Sequence, residues 1–213
     1  MQRSTFVMTD SFLKINLYSF LTLALMACAE PKLTPYQAMV KEEVESGNRM
    51  DDLFEGLHFN MTRDRFEVHS FKKNEEGIFY QHGGSQEMIM YMDNEFGSRV
   101  DFAFFPSFER EIIVGLSGYF YHPHWNGFKK ELFAPVLQAK LVYELEEWLG
   151  GRSFILLPGA AEPLENKYAK VDGNRHIVLR NSVDNRRVEL LITDLRKDPK
   201  YGKFYGIEYP DKH

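Results

Sequence analysis

The stretch "VDFAFFPSFEREIIVGLSGYFY", Val100 to Tyr121, decides the fold. On an extended chain Phe102 and Phe104 fall on one side and Phe105 on the other, and Phe120 opposes Tyr119 and Tyr121. "VDFAFF" reads as a strand, "PSFE" as a turn and "REIIVGLSGYFY" as the returning strand. Just upstream, Met88, Met90 and Met92 alternate with Ile89 and Tyr91, and "NEFG" turns into "VDFAFF". The last third repeats the design: "KYAKV", an Asp172-Gly173 turn, "RHIVLR", a turn at Val183-Asp184-Asn185, then "RRVELLITDL". Each set is expected to be a three-stranded antiparallel meander.

Helices precede these strands. Thr34-Pro35-Tyr36-Gln37 supplies an N-cap, a proline at the first helical position and a capping-box glutamine. Tyr36, Met39, Val40 and Val44 form the apolar stripe of a helix over 35–46 that stops at Gly47. Thr62 starts a second helix, with Met61 before it and Phe66 placed as a hydrophobic staple; Phe66 and Phe71 are its expected buried residues and Gly77 its stop. "LFEGLHF", Leu53 to Phe59, is its apolar entry segment. Pro135 opens a third helix, with Leu137, Leu141, Leu145 and Trp148 on one face and Gly150-Gly151 at its end. The expected fold is α+β, helices packed on antiparallel meanders, in a single domain over 35–213.

The two sets also align by letters. Gly97-Ser98-Arg99 and Gly173-Asn174-Arg175 are followed at equal distance by Arg110 and Arg186, then by Ile112 and Val188. This pattern suggests a duplicated helix-plus-three-strand unit; hairpins of similar length sharing turn chemistry are the alternative.

The chain of 213 residues carries a formal charge of −5 and no basic stripe, which argues against nucleic acid as a partner. Its one cysteine, Cys28, has no partner for an intramolecular disulfide, so the fold must rest on packing. From Leu17 to Ala27 the chain is apolar apart from Ser19 and Thr22, with Arg3 and Lys14 upstream, the layout of a secretory signal. Such a run makes only ~16 Å of helix, against the ~30 Å of hydrocarbon that a spanning helix crosses.

Leu25-Met26-Ala27-Cys28 resembles the lipobox of bacterial lipoproteins, with Met26 in place of the usual small residue. The resemblance implies cleavage after residue 27, lipidation of Cys28, a tether over 28–34, and anchoring in the bacterial cell envelope, with the outer membrane the expected address, on its periplasmic or surface side. Several acyl chains anchor durably because each buried CH₂ contributes about 0.8 kcal/mol. The tandem helix-plus-sheet order resembles the β-lactamase-inhibitor-like fold of several small envelope lipoproteins, which favours binding over catalysis.

The segment "GYFYHPHWNGF", Gly118 to Phe128, carries the candidate site. Tyr119, Tyr121, His122, His124 and Trp125 suit a wet, reversible partner surface; a core with an edge of amphipathic tyrosines is the plainer account. His122 and His124, two apart, are candidates to share a metal, although a zinc site needs a third ligand and Pro123 fixes the backbone between them. A strand-ending turn with exposed imidazoles is the simpler expectation. "GLSG", Gly115 to Gly118, sits mid-strand and lacks the spacing of a nucleophile elbow, so its glycines read as a bulge or a close backbone approach. Glu42-Glu43, Asp51-Asp52 and Glu146-Glu147 read as solvated helix faces, and the Asp-Gly turn accounts for "KVDGNRHIVL". Neither GxGxxG nor GxxxxGK is present, and no catalytic residue or cofactor is expected. The functional expectation is a membrane-tethered lipoprotein binding a protein or envelope component; an inhibitor or immunity lipoprotein and a metal-dependent envelope hydrolase are the alternatives.

Overall fold

The computed structural model describes residues 33–81, the backbone of 89–93, and residues 98–157 and 166–197. The lipobox with Cys28, Met88 and the "NEFG" turn lie outside the described residues. Contacts divide the chain between Thr34 and Pro35, and the described helices and strands belong to the unit from Pro35 onward.

Three helices form where the caps and stripes place them: α1 Pro35–Ser46, α2 Arg63–Glu75 and α3 Ala134–Leu149. The Thr62 side chain caps α2 by accepting from Arg65 N at 3.4 Å, and Gly150, with φ of +59°, follows the end of α3. Among the described residues no helix is long and apolar enough to cross a membrane.

The strands are β1 Phe79–Gln81, β2 Ile89–Asp93, β3 Val100–Glu109, β4 Ile112–Tyr121, β5 Ile155–Leu157, β6 Lys167–Asp172, β7 Arg175–Asn181 and β8 Arg187–Asp194. They build one antiparallel sheet in the order β1-β2-β3-β4-β8-β7-β6-β5. The fold is α+β. The β4–β8 pair joins the two meanders, with fully buried Leu116 opposite fully buried Ile192.

Several local expectations are corrected. Each meander gains a short leading strand, β1 or β5, of three residues, too few for a period to register. "PSFE" is strand: β3 runs through Glu109, and the chain reverses at Arg110-Glu111, both at positive φ (49° and 64°), as a two-residue hairpin turn requires. Pro106, within β3, lies opposite Leu116 of β4. A register shift between Ser107 and Phe108 leaves Val114 opposite no residue and puts Ile113, and not Ile112, into the core, while Val188 lies opposite Phe120 at the other end of β4. The letter alignment of Ile112 with Val188 therefore does not match the core register. Nor do Arg99 and Arg175 match in role: Arg99 is exposed and pairs with Asp101 at 2.8 Å, whereas Arg175 is buried.

The core is divided by the sheet. On the first face, α2 and α3 cover Phe102, Phe104, Leu116, Phe120, Leu179 and Leu190 with Phe66, Leu137, Leu141 and Leu145. Phe102 stacks on Phe120 at 4.1 Å with 7° between the rings. That stack explains Gly118 opposite Phe104, since a Cβ there would lie 2.5 Å from Ala103 O and 2.7 Å from the Phe102 ring. On the second face, α1 lays Tyr36, Met39 and Val40 over Ala169 and Val171 of β6. Phe71 is not buried; it is 66% exposed. Phe66 faces inward against Phe108 (5.7 Å), and a position five residues on lies roughly 140° further round a helix.

Candidate functional site: the open face of the sheet

Alternation along three neighbouring strands builds this face. Register sets Asp101, Ala103 and Phe105 of β3 against Tyr121, Tyr119 and Ser117 of β4, and these against Arg187, Glu189 and Leu191 of β8. Their neighbours Phe102, Phe104, Leu116, Phe120, Val188 and Leu190 point the other way, into the core. Because α1 covers only the β5–β6 end, no described helix lies over β3, β4 and β8 on this side. Phe105, Tyr119 and Tyr121 are half-buried and Leu191 is 38% exposed.

A shallow cavity of about 440 Å³ lies along this face, with Phe105 and Tyr119 on one side and Val178 and Leu191 on the other. Lys167, Arg180 and Arg187 rim it. Arg180 pairs with Glu189 at 2.5 Å, while the Arg187 guanidinium lies 5.0 Å over the Tyr119 ring and 3.9 Å from Asp184. Tyr119 contacts Phe105 (6.4 Å) and Tyr121 (5.6 Å) edge-tilted. Burial, with the Asp101 carboxylate beside it, pushes the Tyr121 hydroxyl up to about 12, so it stays a neutral donor. Asp101 itself is held by the Arg99 fork at 2.8 and 3.1 Å.

The five candidates from the sequence separate into three environments. Tyr119 and Tyr121 stand on the open face. His122, expected to be exposed, is 6% exposed, because its Nδ1 lies 3.0 Å from Arg99 O and 3.3 Å from Ser98 Oγ. His124 is exposed. Trp125 is packed between the Phe133 ring (5.8 Å) and the Arg186 guanidinium (4.4 Å), so its indole braces a loop. Among the described residues no three His, Cys, Asp or Glu side chains are grouped to hold a metal. Ser117 Oγ donates to Phe105 O at 3.5 Å, inside the sheet. Sequence reading missed Val178, Arg180, Arg187 and Leu191; the alternation of Glu189 and Leu191 against Val188, Leu190 and Ile192 carried that signal.

A second polar cluster lies at the β6–β7 turn, where turn chemistry alone was expected. Lys170, Asp172, Asn174, Arg175 and His176 are all buried. Lys170 Nζ donates to the Gly150 and Arg152 carbonyls and to Asp172, and Arg175 donates to Leu149 O (2.5 Å), Asp52 O (2.7 Å) and Asp172 (3.1 Å). Burial pulls the Lys170 ammonium below its ordinary range, against the opposing pull of Asp172. Glu43, expected on a solvated helix face, is buried and accepts from Gly173 N (2.7 Å) and Arg152 (2.5 Å). Asn174 accepts from Met50 N and donates to Asp194. The cations are spent on the last carbonyls of α3, which makes the cluster a clasp joining α1, α3 and the hairpin.

An α+β body built on one antiparallel sheet with an open aromatic face is what these observations define. No protein-family model and no curated protein matches the chain. Among solved structures it is similar to a DUF4309 family protein, YjgB, from Bacillus subtilis, at 14% identity over 75% of this chain and 95% of that one, with a TM-score of 0.30.

Proposed function

We propose that the protein is an envelope lipoprotein, tethered through Cys28, whose body binds a protein or envelope component on the open face of its sheet. The observation that carries the reading is the stretch of β3, β4 and β8 over which no described helix lies, where Phe105, Tyr119, Tyr121 and Leu191 are left partly in water beside Lys167, Arg180, Arg187 and Glu189. Aromatic surface of this kind gives much contact area at low conformational cost.

Two variants test the reading. Cys28→Ser should abolish uptake of labelled palmitate and release the protein from membranes; continued labelling would overturn the tether. Leu191→Asp places a charge on an exposed position, so the chain should fold with an unchanged circular dichroism spectrum and lose its partner. Retained binding by that variant would remove the open face as the binding surface.

A further inference from the structure

The end of the sheet where β4 stops and β8 starts holds two apolar side chains in water. Phe128 is 97% exposed in the loop over 122–133, and Val183, in the β7–β8 turn, is fully exposed. Both segments lie at one end of the sheet, since Tyr121 pairs with Arg187 and Asn181 with Val188. The loop is braced: Trp125 is clamped by Phe133 and Arg186, Ala134 N donates to Asn185 O (3.0 Å), Lys129 N to Asn126 O (3.0 Å) and Phe128 N to Asn126 Oδ1 (2.9 Å).

A braced loop that keeps a phenylalanine in water gives up the burial that the ring would gain against any apolar phase. Lys129 and Lys130 follow that ring directly and are exposed, and Arg186 follows the Val183 turn. Glu131 and Asp184 are the acidic neighbours. On a chain of net charge −5 this clustering of cations beside apolar tips is a local reversal of sign. Apolar tips ringed by long cationic side chains match a bilayer interface, where rings enter the acyl boundary and ammonium groups stay at the phosphates.

We propose that this end of the sheet is a second membrane contact, in which Phe128 and Val183 enter the interface of an anionic bilayer and Lys129, Lys130 and Arg186 meet its lipid phosphates. The inference rests on the tethered reading only for the presence of a bilayer nearby; the contact chemistry belongs to the body.

The test uses the full-length chain carrying Phe128→Trp, mixed with phosphatidylglycerol vesicles with or without brominated acyl chains. The chain should sediment with the vesicles, and its added indole emission should shift to the blue and be quenched by the brominated lipid. Adding Lys129→Gln and Lys130→Gln should weaken tip insertion by roughly 25-fold, from about fivefold per cation, and return the emission towards that in water. A chain bound to vesicles whose indole is neither shifted nor quenched overturns this contact while leaving the tether standing. A chain that stays in the supernatant overturns this contact, and the tether is judged separately by palmitate labelling. Phosphatidylcholine vesicles quenching as strongly as phosphatidylglycerol would overturn the role of the cations.

Discussion

His176 shows what burial does to one titratable side chain in this molecule. It is 1% exposed, shares a 2.5 Å hydrogen bond with the Tyr36 hydroxyl, and burial pushes its imidazole down to about 4 from an ordinary 6.5. The folded state therefore takes up a proton less readily than the unfolded chain. Stability contributed by neutral His176 is complete above pH 6.5 and is lost as pH falls towards 4, by up to about 3 kcal/mol. Denaturant unfolding of the native chain and of His176→Gln across that range checks this: the native chain should lose stability more steeply on acidification. Equal slopes would contradict it. Asp172 is the second residue whose removal has a defined consequence, because Lys170 and Arg175 both lean on one carboxylate at 3.2 and 3.1 Å. Asp172→Ala leaves two buried cations uncompensated and should cost about 3–5 kcal/mol by chemical denaturation. A loss within error of zero would show that the backbone carbonyls suffice.

At the scale of elements, α2 separates two phenylalanines that look alike in the sequence. Phe66 is in the core and Phe71 is 66% exposed. Phe66→Ala should cost about 3–5 kcal/mol, while Phe71→Ala should stay within ~0.5 kcal/mol of the native chain. Comparable losses for the two would place α2 in the wrong rotation. Helices were legible because their caps are local: Thr62, Pro35 and Gly150 mark boundaries that the structure keeps within a residue or two. Strand alternation was legible for the same reason. The Ser107–Phe108 register shift was not, because a bulge inserts one residue without changing composition, and it turned Ile113 into the core where alternation from Phe120 and Leu116 points Val114 and Ile112 inward. The α1–α3 clasp was equally hidden. Its ion pairs join residues more than one hundred positions apart, such as Arg152 with Glu42 and Glu43, and only the folded topology brings them together.

At the scale of the whole molecule, the order β1-β2-β3-β4-β8-β7-β6-β5 places two meanders side by side, and α1 covers the second face at one end only. The sequence contained half of the resulting surface, the Tyr119 and Tyr121 positions of β4. It concealed the other half, because β8 becomes the neighbour of β4 only through the joining of the two meanders, with Tyr119 opposite Glu189 and Ser117 opposite Leu191. His122 and Trp125 stand off this face for a related reason: each has a partner from another segment, Arg99 and Arg186 respectively. The open face, and not the outer surface of α3, is the proposed seat of a partner. Photo-crosslinking in intact cells tests it most directly, with the crosslinker placed at Tyr121 on the open face or at Tyr143, exposed on α3. One discrete adduct is expected from position 121, abolished by Leu191→Asp, and none from 143. Adducts of equal yield from both positions, or an adduct from 121 that survives Leu191→Asp, would contradict it.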